Sequence, residues 1–375
     1  MNSWINTNIQ LQNLCDQLSS CSLIAIDTEF IRTDTFYPKI ALIQLSDGET
    51  IWLIDVLAID DFIPLKALLE SPDNTLIFHA CAEDLEVLDH SVNIQPSQIF
   101  DTQIAAGIVN IGYCMGYARL VDALLDIQLD KQETRSNWLA RPLTAKQLDY
   151  AEVDVLHLHS LHSLLIKMLA EQNRVEWFEE ESQGLFNVVD QRKNNQNYYS
   201  RIRGAWRLSP QSLNTLRHLC QWRDNISRTK DVPKSRVAKD NVLLELAKQM
   251  PKSKHQLYGI EDWHPISVRR YGELILSEIE NSRHQIADAW APKPLSSSLN
   301  ATFKSIRQSL LKIAEKQKIP PEFLSNKREL EDILRSFQQG NYQLPERIRQ
   351  GWRQQWVQDA IESELKKSNL DCESK

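Results

Sequence analysis

Short aliphatic runs and helical patterns alternate along the first half of the chain. Leu23–Ile26 is an apolar run that ends in polar residues, which predicts a buried strand. Ile40–Leu45 and Thr50–Ile54 predict two more strands, and the Asp47-Gly48 pair between them is typical of a hairpin turn. Further patterns predict helices at 8–18, 63–69, 82–88 and 102–109, and strands at 76–78 and ending at 101. This order predicts an α/β domain with a mixed sheet.

The second half of the chain is predicted to be helical. A long helix is predicted over residues 144–171, and the polar run 190–197 after it indicates a linker. Apolar residues then recur at helical spacing over 209–281 and 299–365, on either side of the proline-containing run 291–294. A chain of 375 residues exceeds the size at which a single core keeps growing. The predicted domains are residues 1–180, a linker over 181–205, and two all-α domains over 206–290 and 295–375.

The charge of the chain differs between its two halves. Residues 203–375 contain 30 Lys and Arg against 21 Asp and Glu, a net charge of +9. Residues 1–202 have a net charge of −16, and the whole chain has a net charge of −7. A basic region attracts polyanions and an acidic region concentrates metal ions. The asymmetry indicates different tasks for the two halves, although acidic surfaces also serve solubility alone.

Several classes of protein are disfavoured by the sequence. No apolar run approaches the roughly 20 residues that span a bilayer. The N-terminus, Met1–Trp4, lacks the pattern of a signal peptide. The six cysteines have no C-x-x-C spacing, so we expect reduced thiols in a cytoplasmic protein, with neither disulfides nor a zinc site. Gly-rich phosphate-binding motifs are absent from the sequence, and no nucleotide cofactor is expected.

Two carboxylates follow the predicted strand Leu23–Ile26. Asp27 and Glu29 project from one face of the strand, because strand side chains alternate with period two. Like charges side by side at the end of a buried strand are unfavourable unless a cation lies between them. Carboxylate oxygens suit hard divalent ions such as Mg²⁺ or Mn²⁺. The pair predicts a metal site, although the same pattern also fits a strand end with two solvated acids.

Further candidate residues occur where predicted elements begin or end. Asp84 lies near the first turn of a predicted helix, and Asp101 ends a predicted strand. Both positions also suit acids that only stabilise a helix N-terminus. We interpret His79 as a hydrogen-bonded structural histidine. Gln44 and Trp138 are candidate substrate contacts, although core packing or a surface position is the simpler interpretation of each.

The predicted long helix carries one more acid that points inward. Tyr150 and Asp154 are four residues apart and share one helix face. Apolar neighbours flank that face, and an inward carboxylate needs a partner. The simplest partner is an upstream arginine, Arg135 or Arg141.

These residues occur in three motifs that resemble those of the DEDD exonuclease superfamily. The motifs are Asp27-Thr-Glu-Phe30 after a strand, His79-x4-Asp84, and Tyr150-x3-Asp154. The tyrosine is typical of the branch that includes the proofreading domains of DNA polymerases. Within that branch, the runs 101–106 and 136–143 resemble the ribonuclease D family. The resemblance covers essentially the whole chain and implies an RNase H-like mixed-sheet exonuclease domain followed by two helical domains.

The resemblance also implies a two-metal active site. Asp27, Glu29, Asp84 and Asp154 would hold two Mg²⁺ or Mn²⁺ ions about 3.5–4 Å apart, with Asp27 bridging both. One ion would activate water and the other would stabilise the leaving 3′ oxygen. Tyr150 would orient the attacking water, since a phenol with a pKa of about 10 is a poor general base. The implied product is a nucleoside 5′-monophosphate released from a 3′ end.

The helical half resembles the helicase-and-RNase-D C-terminal (HRDC) domain, a nucleic-acid-binding module. The similarity rests on residues 219–223, 232–233 and 240–247. The stretch 319–330 resembles the region around Pro233 and so implies a second, degenerate copy, although a plain helical bundle fits it as well. A first HRDC domain is expected over 206–290 and a degenerate HRDC-like domain over 295–375.

Together, these inferences predict a cytoplasmic, metal-dependent 3′→5′ exoribonuclease that trims structured RNAs, above all tRNA precursors. The expected partner is RNA, without a membrane, and the expected state is a monomer. A 3′→5′ DNA exonuclease is the first alternative, because the same active site serves proofreading and a contact to the 2′-hydroxyl requires no special side chain. A non-catalytic RNA-binding protein with a decayed nuclease domain is the second, although all four carboxylates and the tyrosine are present.

Overall fold

The computed structural model describes residues 2–129, 136–193, 197–285 and 288–370. Contacts within the chain divide it into two units. The first unit consists of Met1–Ile31, Lys39–Asp190 and Leu295–Lys375, and the second consists of Arg32–Pro38 and Gln191–Pro294.

A six-stranded mixed sheet lies in the first unit. Its strands are β1 (Asn2–Ile5), β2 (Leu23–Ile31), β3 (Lys39–Ser46), β4 (Ile51–Asp55), β5 (Thr75–Phe78) and β6 (Ile99–Asp101). In the spatial order β1-β4-β3-β2-β5-β6, β3 is antiparallel to both β2 and β4. The pairs β1–β4, β2–β5 and β5–β6 are parallel. The predicted mixed sheet and the hairpin of β3 and β4 are confirmed.

Strand β1 has no counterpart among the predicted elements. It is a four-residue edge strand that pairs with β4 from Asn2 opposite Ile51 to Ile5 opposite Ile54. So short a segment has no readable alternation of polar and apolar residues. The strand forms because β4 offers it a hydrogen-bonding edge.

Helices cover both faces of the sheet. They are α1 (Asn8–Leu18), α2 (Ile63–Leu69), α3 (Ala82–Val92), α4 (Thr102–Ile108), α5 (Tyr117–Leu125), α6 (Ala145–Leu156), α7 (Leu158–Glu171) and α8 (Val175–Lys193). Ile24 and Ile26 of β2 join an apolar cluster with α1, α2 and α3. Ala25 faces the opposite layer, with α4 and α7. Because side chains alternate along a strand, Asp27 and Glu29 lie on the Ala25 side, where α6 contacts β2 and β3.

The helix predicted over residues 144–171 is in fact two helices, α6 and α7, with His157 outside both. The Tyr117 hydroxyl donates to the carbonyl oxygen of Val153 at 2.9 Å and accepts from the N–H of His157 at 3.1 Å. It thereby replaces the backbone hydrogen bond that would join these two residues in a continuous helix. The apolar periodicity continues across the break, so the sequence alone predicted one helix.

Helix α8 extends through the first part of the predicted linker 181–205. Its Phe178 is buried in an apolar cluster, and its Glu180 and Glu181 both pair with Arg353. The Arg353 side chain is 0% exposed, so the two glutamates compensate a buried charge. This segment is helical because distant residues pack on it, which local polarity does not reveal. Residues 194–196 of the predicted linker lie outside the described residues.

The C-terminal helices belong to the same unit as the sheet. Ile306, Leu310 and Phe323 share an apolar cluster with Leu165 of α7. The Arg174 guanidinium donates to the carbonyl oxygens of residues 317 and 318, which end the first of these helices. These helices are Ser297–Gln317, Pro321–Leu324, Lys327–Gln338, Glu346–Arg349 and Asp359–Leu370, with a π-helical turn at Gln354–Gln358.

The second unit is helical and has its own core. Leu216, Leu219 and Trp222 pack with Tyr271 in this core, and the buried Arg223 pairs with Asp240 at 2.8 Å. Its helices are Pro210–Lys230, Lys234–Val237, Asp240–Gln249, Lys254–Leu257 and Pro265–Arg283.

The two helical segments begin with the same sequence of features. Pro210–Lys230 and Ser297–Gln317 are both 21-residue helices with a serine N-cap. Each is followed by a residue in the left-handed conformation, Asp231 and Lys318, and then by a proline that precedes a four-residue helix. This repetition supports two related copies of one helical module.

The described residues contain five of the six cysteines. Cys15, Cys21, Cys81, Cys114 and Cys220 are all free thiols, as expected, and Cys372 lies outside the described residues. Within the described ranges, no helix has both the length and the apolar character needed to cross a membrane.

Candidate active site

Three carboxylates from two elements converge on one face of the sheet. The side-chain oxygens of Asp27, Glu29 and Asp154 lie within 4.8 Å of one another. Strand β2 places Asp27 and Glu29 on the same face, and α6 places Asp154 above them. The two sequence motifs, more than a hundred residues apart, thus form a single cluster of negative charge.

The cluster is electrostatically strained without a cation. Removal from water, reinforced by the charges of Asp154 and Asp84, raises the pKa of Glu29 to about 9. Burial likewise raises the pKa of Asp154 to about 7, opposed by a hydrogen bond from Tyr150. The pKa of Asp27 is also well above its ordinary value, chiefly through burial and then through the other three carboxylates. A divalent cation bound to these carboxylates would compensate for their lost hydration, and its attraction to each of them would outweigh their mutual repulsion.

Asp84 lies beside this cluster rather than in it. It occupies the first turn of α3, is buried, and accepts a hydrogen bond from the Thr28 hydroxyl at 2.5 Å. Burial raises its pKa to about 6, while the Thr28 hydrogen bond opposes that rise. Its charge nevertheless contributes to the raised pKa of Asp27 and of Glu29. Asp84 therefore belongs to the electrostatic surroundings of Asp27 and Glu29.

Tyr150 lies one helical turn before Asp154 and hydrogen-bonds to its carboxylate. Its ring packs at 6.1 Å from the ring of Trp138, measured between centroids, and Trp138 is only 4% exposed. Burial and the neighbouring carboxylates raise the pKa of the Tyr150 phenol above its ordinary value. The hydroxyl therefore stays protonated and acts as a hydrogen-bond donor. Trp138 is a packing residue, as interpreted from the sequence.

Arg141 is not the partner of Asp154. Its guanidinium binds Asp55 through two hydrogen bonds, at 2.9 Å and 2.6 Å. It also donates to the carbonyl oxygens of Trp138 and Ala41. The other arginine proposed for this role, Arg135, lies outside the described residues. With Arg141 committed elsewhere, the donor set of three carboxylates fits a hard divalent cation from solution.

Asp101 and His79 have structural contacts. The Asp101 carboxylate accepts from the backbone N–H groups of Gln103 and Ile104 at the start of α4, as expected of a helix cap. It also accepts from the N–H of Ala80, a residue with a φ of 63° in the turn before α3. His79 Nδ1 lies 2.9 Å from the Thr102 hydroxyl. These contacts agree with the structural interpretations made from the sequence.

Sequence reasoning missed two residues that shape the site. The Thr28 hydroxyl orients Asp84, and the Tyr117 hydroxyl holds the end of α6 next to Asp154. Thr28 stands between the two acids of the first motif, so its position was a usable signal. Tyr117 had none, because its partners lie 36 and 40 residues away in the chain.

The chain is similar to known proteins over nearly its whole length. A family of 3′–5′ exonuclease domains matches residues 2–170, and the HRDC domain family matches residues 212–279. Ribonuclease D of Pseudomonas paraeruginosa is 38% identical over 362 residues, which cover 96% of each chain. Ribonuclease D of Escherichia coli is 32% identical over 374 residues, 96% of this chain and 97% of the relative. The crystal structure of Escherichia coli RNase D, described as an exoribonuclease involved in structured RNA processing, matches with a TM-score of 0.88 and 31% identity, covering 98% of this chain and 99% of that one.

Proposed function

The chain belongs to the ribonuclease D family of 3′–5′ exoribonucleases, and we propose that it hydrolyses RNA with divalent metal ions and releases nucleoside 5′-monophosphates. The observation that carries the proposal is the cluster of Asp27, Glu29 and Asp154, whose oxygens lie within 4.8 Å of one another. These residues would hold one ion, and Asp27 with Asp84 would hold a second. Two ions held in this way supply stabilisation of the charge on the attacking and leaving oxygens.

The protein groups around the cluster have separate tasks in this proposal. Tyr150 orients the attacking water: its hydroxyl donates to the Asp154 carboxylate, and its oxygen accepts a hydrogen bond from the water. Its raised pKa disfavours a role as general base. The Thr28 hydroxyl fixes the Asp84 carboxylate. The Tyr117 hydroxyl fixes the last turn of α6, which carries Asp154.

The proposed substrate is a structured RNA with a 3′ tail, in particular a tRNA precursor, in the cytoplasm. The basic character of residues 203–375 supports a polyanionic substrate. The match of residues 212–279 to the HRDC family supports a nucleic-acid-binding role for the second unit. The free thiols of the described cysteines agree with a reducing compartment. The proposed working state is a monomer.

Digestion of matched RNA and DNA strands with single-stranded 3′ tails tests this function. With Mg²⁺ or Mn²⁺, we expect the RNA to shorten from its 3′ end and to release nucleoside 5′-monophosphates, measured by chromatography. A chelator should stop the reaction and added metal should restore it, because the carboxylate cluster cannot orient water without a cation. Faster digestion of DNA than of RNA would favour the DNA exonuclease, and binding of both without cleavage would favour a non-catalytic RNA-binding protein.

Exposed cations of the second unit are candidate phosphate-binding groups. Lys230 and Arg270 are both exposed, and their charged groups lie 4.9 Å and 5.9 Å from the centre of the Tyr271 ring. Tyr271 is buried in the core of this unit, so it holds the two cations on a rigid support. We infer that this pair binds the RNA backbone.

The double variant Lys230→Glu and Arg270→Glu should bind tRNA-sized RNA on the order of tenfold more weakly at low salt, measured by fluorescence anisotropy. The slope of log affinity against log salt should flatten by about 0.7–0.9 for each RNA phosphate that the variant no longer binds. Lys312→Glu with Lys316→Glu is the matched control, because it makes the same charge change on exposed residues of another helix. An equal loss of RNA affinity in the two double variants would show that net charge, rather than the pair Lys230 and Arg270, governs RNA binding.

A further inference from the structure

Gln44 of β3 is a buried amide whose polar atoms lack partners. The residue is 0% exposed. Neither its amide nitrogen nor its amide oxygen has a hydrogen-bond partner in the described part of the chain. Burial of an amide without such partners is unfavourable, and nearly all buried polar groups in folded proteins have at least one. A second state of the protein in which the amide is hydrogen-bonded would explain its position.

The sheet register identifies the partner available to this amide. Gln44 lies directly opposite Asp27 in the antiparallel pair of β3 and β2, and opposite Leu53 of β4 on its other side. Opposed residues point to the same face, with Cβ atoms about 4.5–5.5 Å apart. Leu53 offers no acceptor, and the hydroxyl oxygen of Ser46, the next polar residue on this face of β3, already accepts from the N–H of Gly48. The Asp27 carboxylate is therefore the acceptor that the register places directly opposite the amide on this face.

We propose that Gln44 is a positioning residue of the metal site, whose side-chain amide donates a hydrogen bond to the Asp27 carboxylate when that carboxylate binds a divalent cation. Asp27 would hold the cation in its charged form, and a charged carboxylate is a stronger hydrogen-bond acceptor than a neutral one. The hydrogen bond fixes the orientation of the ligand, as partners of metal-ligating side chains generally do. The inference rests on the proposed metal-dependent function and deepens it.

Replacing Gln44 by methionine tests the proposal, because Gln44→Met keeps the length of the side chain and removes both polar atoms. The affinity for Mn²⁺, measured by titration calorimetry on the full-length protein, should fall by about 10–100-fold. The melting temperature in chelator should stay equal or rise, because the metal-free state has no hydrogen bond to this amide. The rise in melting temperature at a fixed Mn²⁺ concentration should be smaller than in the wild type.

The matched control is Leu45→Met, which places the same side chain on the adjacent, equally buried position of β3, facing the opposite layer. We expect Mn²⁺ affinity in this variant to equal that of the wild type. Unchanged Mn²⁺ affinity in Gln44→Met would overturn the positioning role. So would a Gln44→Met protein that is less stable in chelator or fails to fold, because the amide would then serve the metal-free fold. A wild-type protein that binds no Mn²⁺ would instead refute the metal-dependent function itself.

Discussion

Asp154→Asn should reduce exonuclease turnover by about 10⁴-fold or more, the scale on which single members of a catalytic unit act. The substitution keeps the shape of the side chain and removes the negative charge that α6 contributes to the cluster. Asp149→Asn is the matched control, because it makes the same change on an exposed position of the same helix. Single-turnover digestion of a short RNA measures both variants, and near wild-type turnover in Asp154→Asn would end its assignment as a metal ligand.

Substitution of each of the other three carboxylates should also lower turnover. Asp27→Asn, Glu29→Gln and Asp84→Asn should each lose most of their turnover while remaining folded. Each replaces a buried acid whose ionisation is disfavoured by burial and by its acidic neighbours, so the fold should not be weakened. Any variant of the three that kept the wild-type rate would exclude that residue from the metal site.

The same substitution at Asp154 should stabilise the metal-free protein at neutral and alkaline pH. The pKa of Asp154 is raised to about 7 in the folded protein, against about 3.9 in an unfolded chain. Ionisation therefore favours unfolding, and the penalty grows as pH rises from about 4 through the folded pKa. The melting temperature of Asp154→Asn in chelator should exceed that of the wild type at about pH 8, and the two should converge near pH 3. If the melting temperatures of Asp154→Asn and the wild type differed by the same amount at every pH, the raised pKa of Asp154 would be contradicted.

Tyr150→Phe should lower turnover by about 10²–10³-fold, the effect of removing one positioned hydrogen-bond donor from an active site. The ring that packs against Trp138 remains, so the fold should be preserved. Mn²⁺ affinity, measured by calorimetry, should change little, because the phenol is not a proposed metal ligand. Tyr258→Phe, on an exposed residue of the second unit, is the control for loss of a hydroxyl. Unchanged turnover in Tyr150→Phe would make this tyrosine a structural residue.

The sequence by itself determined most of the local elements and the candidate residues of the site. Strand periodicity put Asp27 and Glu29 on one face of β2, and helical periodicity put Tyr150 and Asp154 on one face of α6. Both inferences depend only on backbone geometry within a few residues, so they hold wherever the element forms. The mixed sheet followed in the same way from the order and length of the apolar runs.

The tertiary structure decided everything that depends on residues far apart in the chain. It brought the carboxylates within 4.8 Å of one another, divided the helix predicted over 144–171 through the hydroxyl of Tyr117, and buried the amide of Gln44 opposite Asp27. It also placed residues 295–375 in the same unit as the sheet, through contacts such as Arg353 with Glu180.

The physical reason is that periodicity reports which face of an element is apolar, but not which partner covers that face. A buried tyrosine hydroxyl, a paired arginine and an edge strand are each stabilised by a partner supplied from elsewhere in the chain. Such partners leave no pattern in the residues that need them. For this protein, the candidate site residues were therefore readable from local sequence. The contacts of Tyr117 and Thr28, and the burial of Gln44 opposite Asp27, were decided by the packing of distant segments.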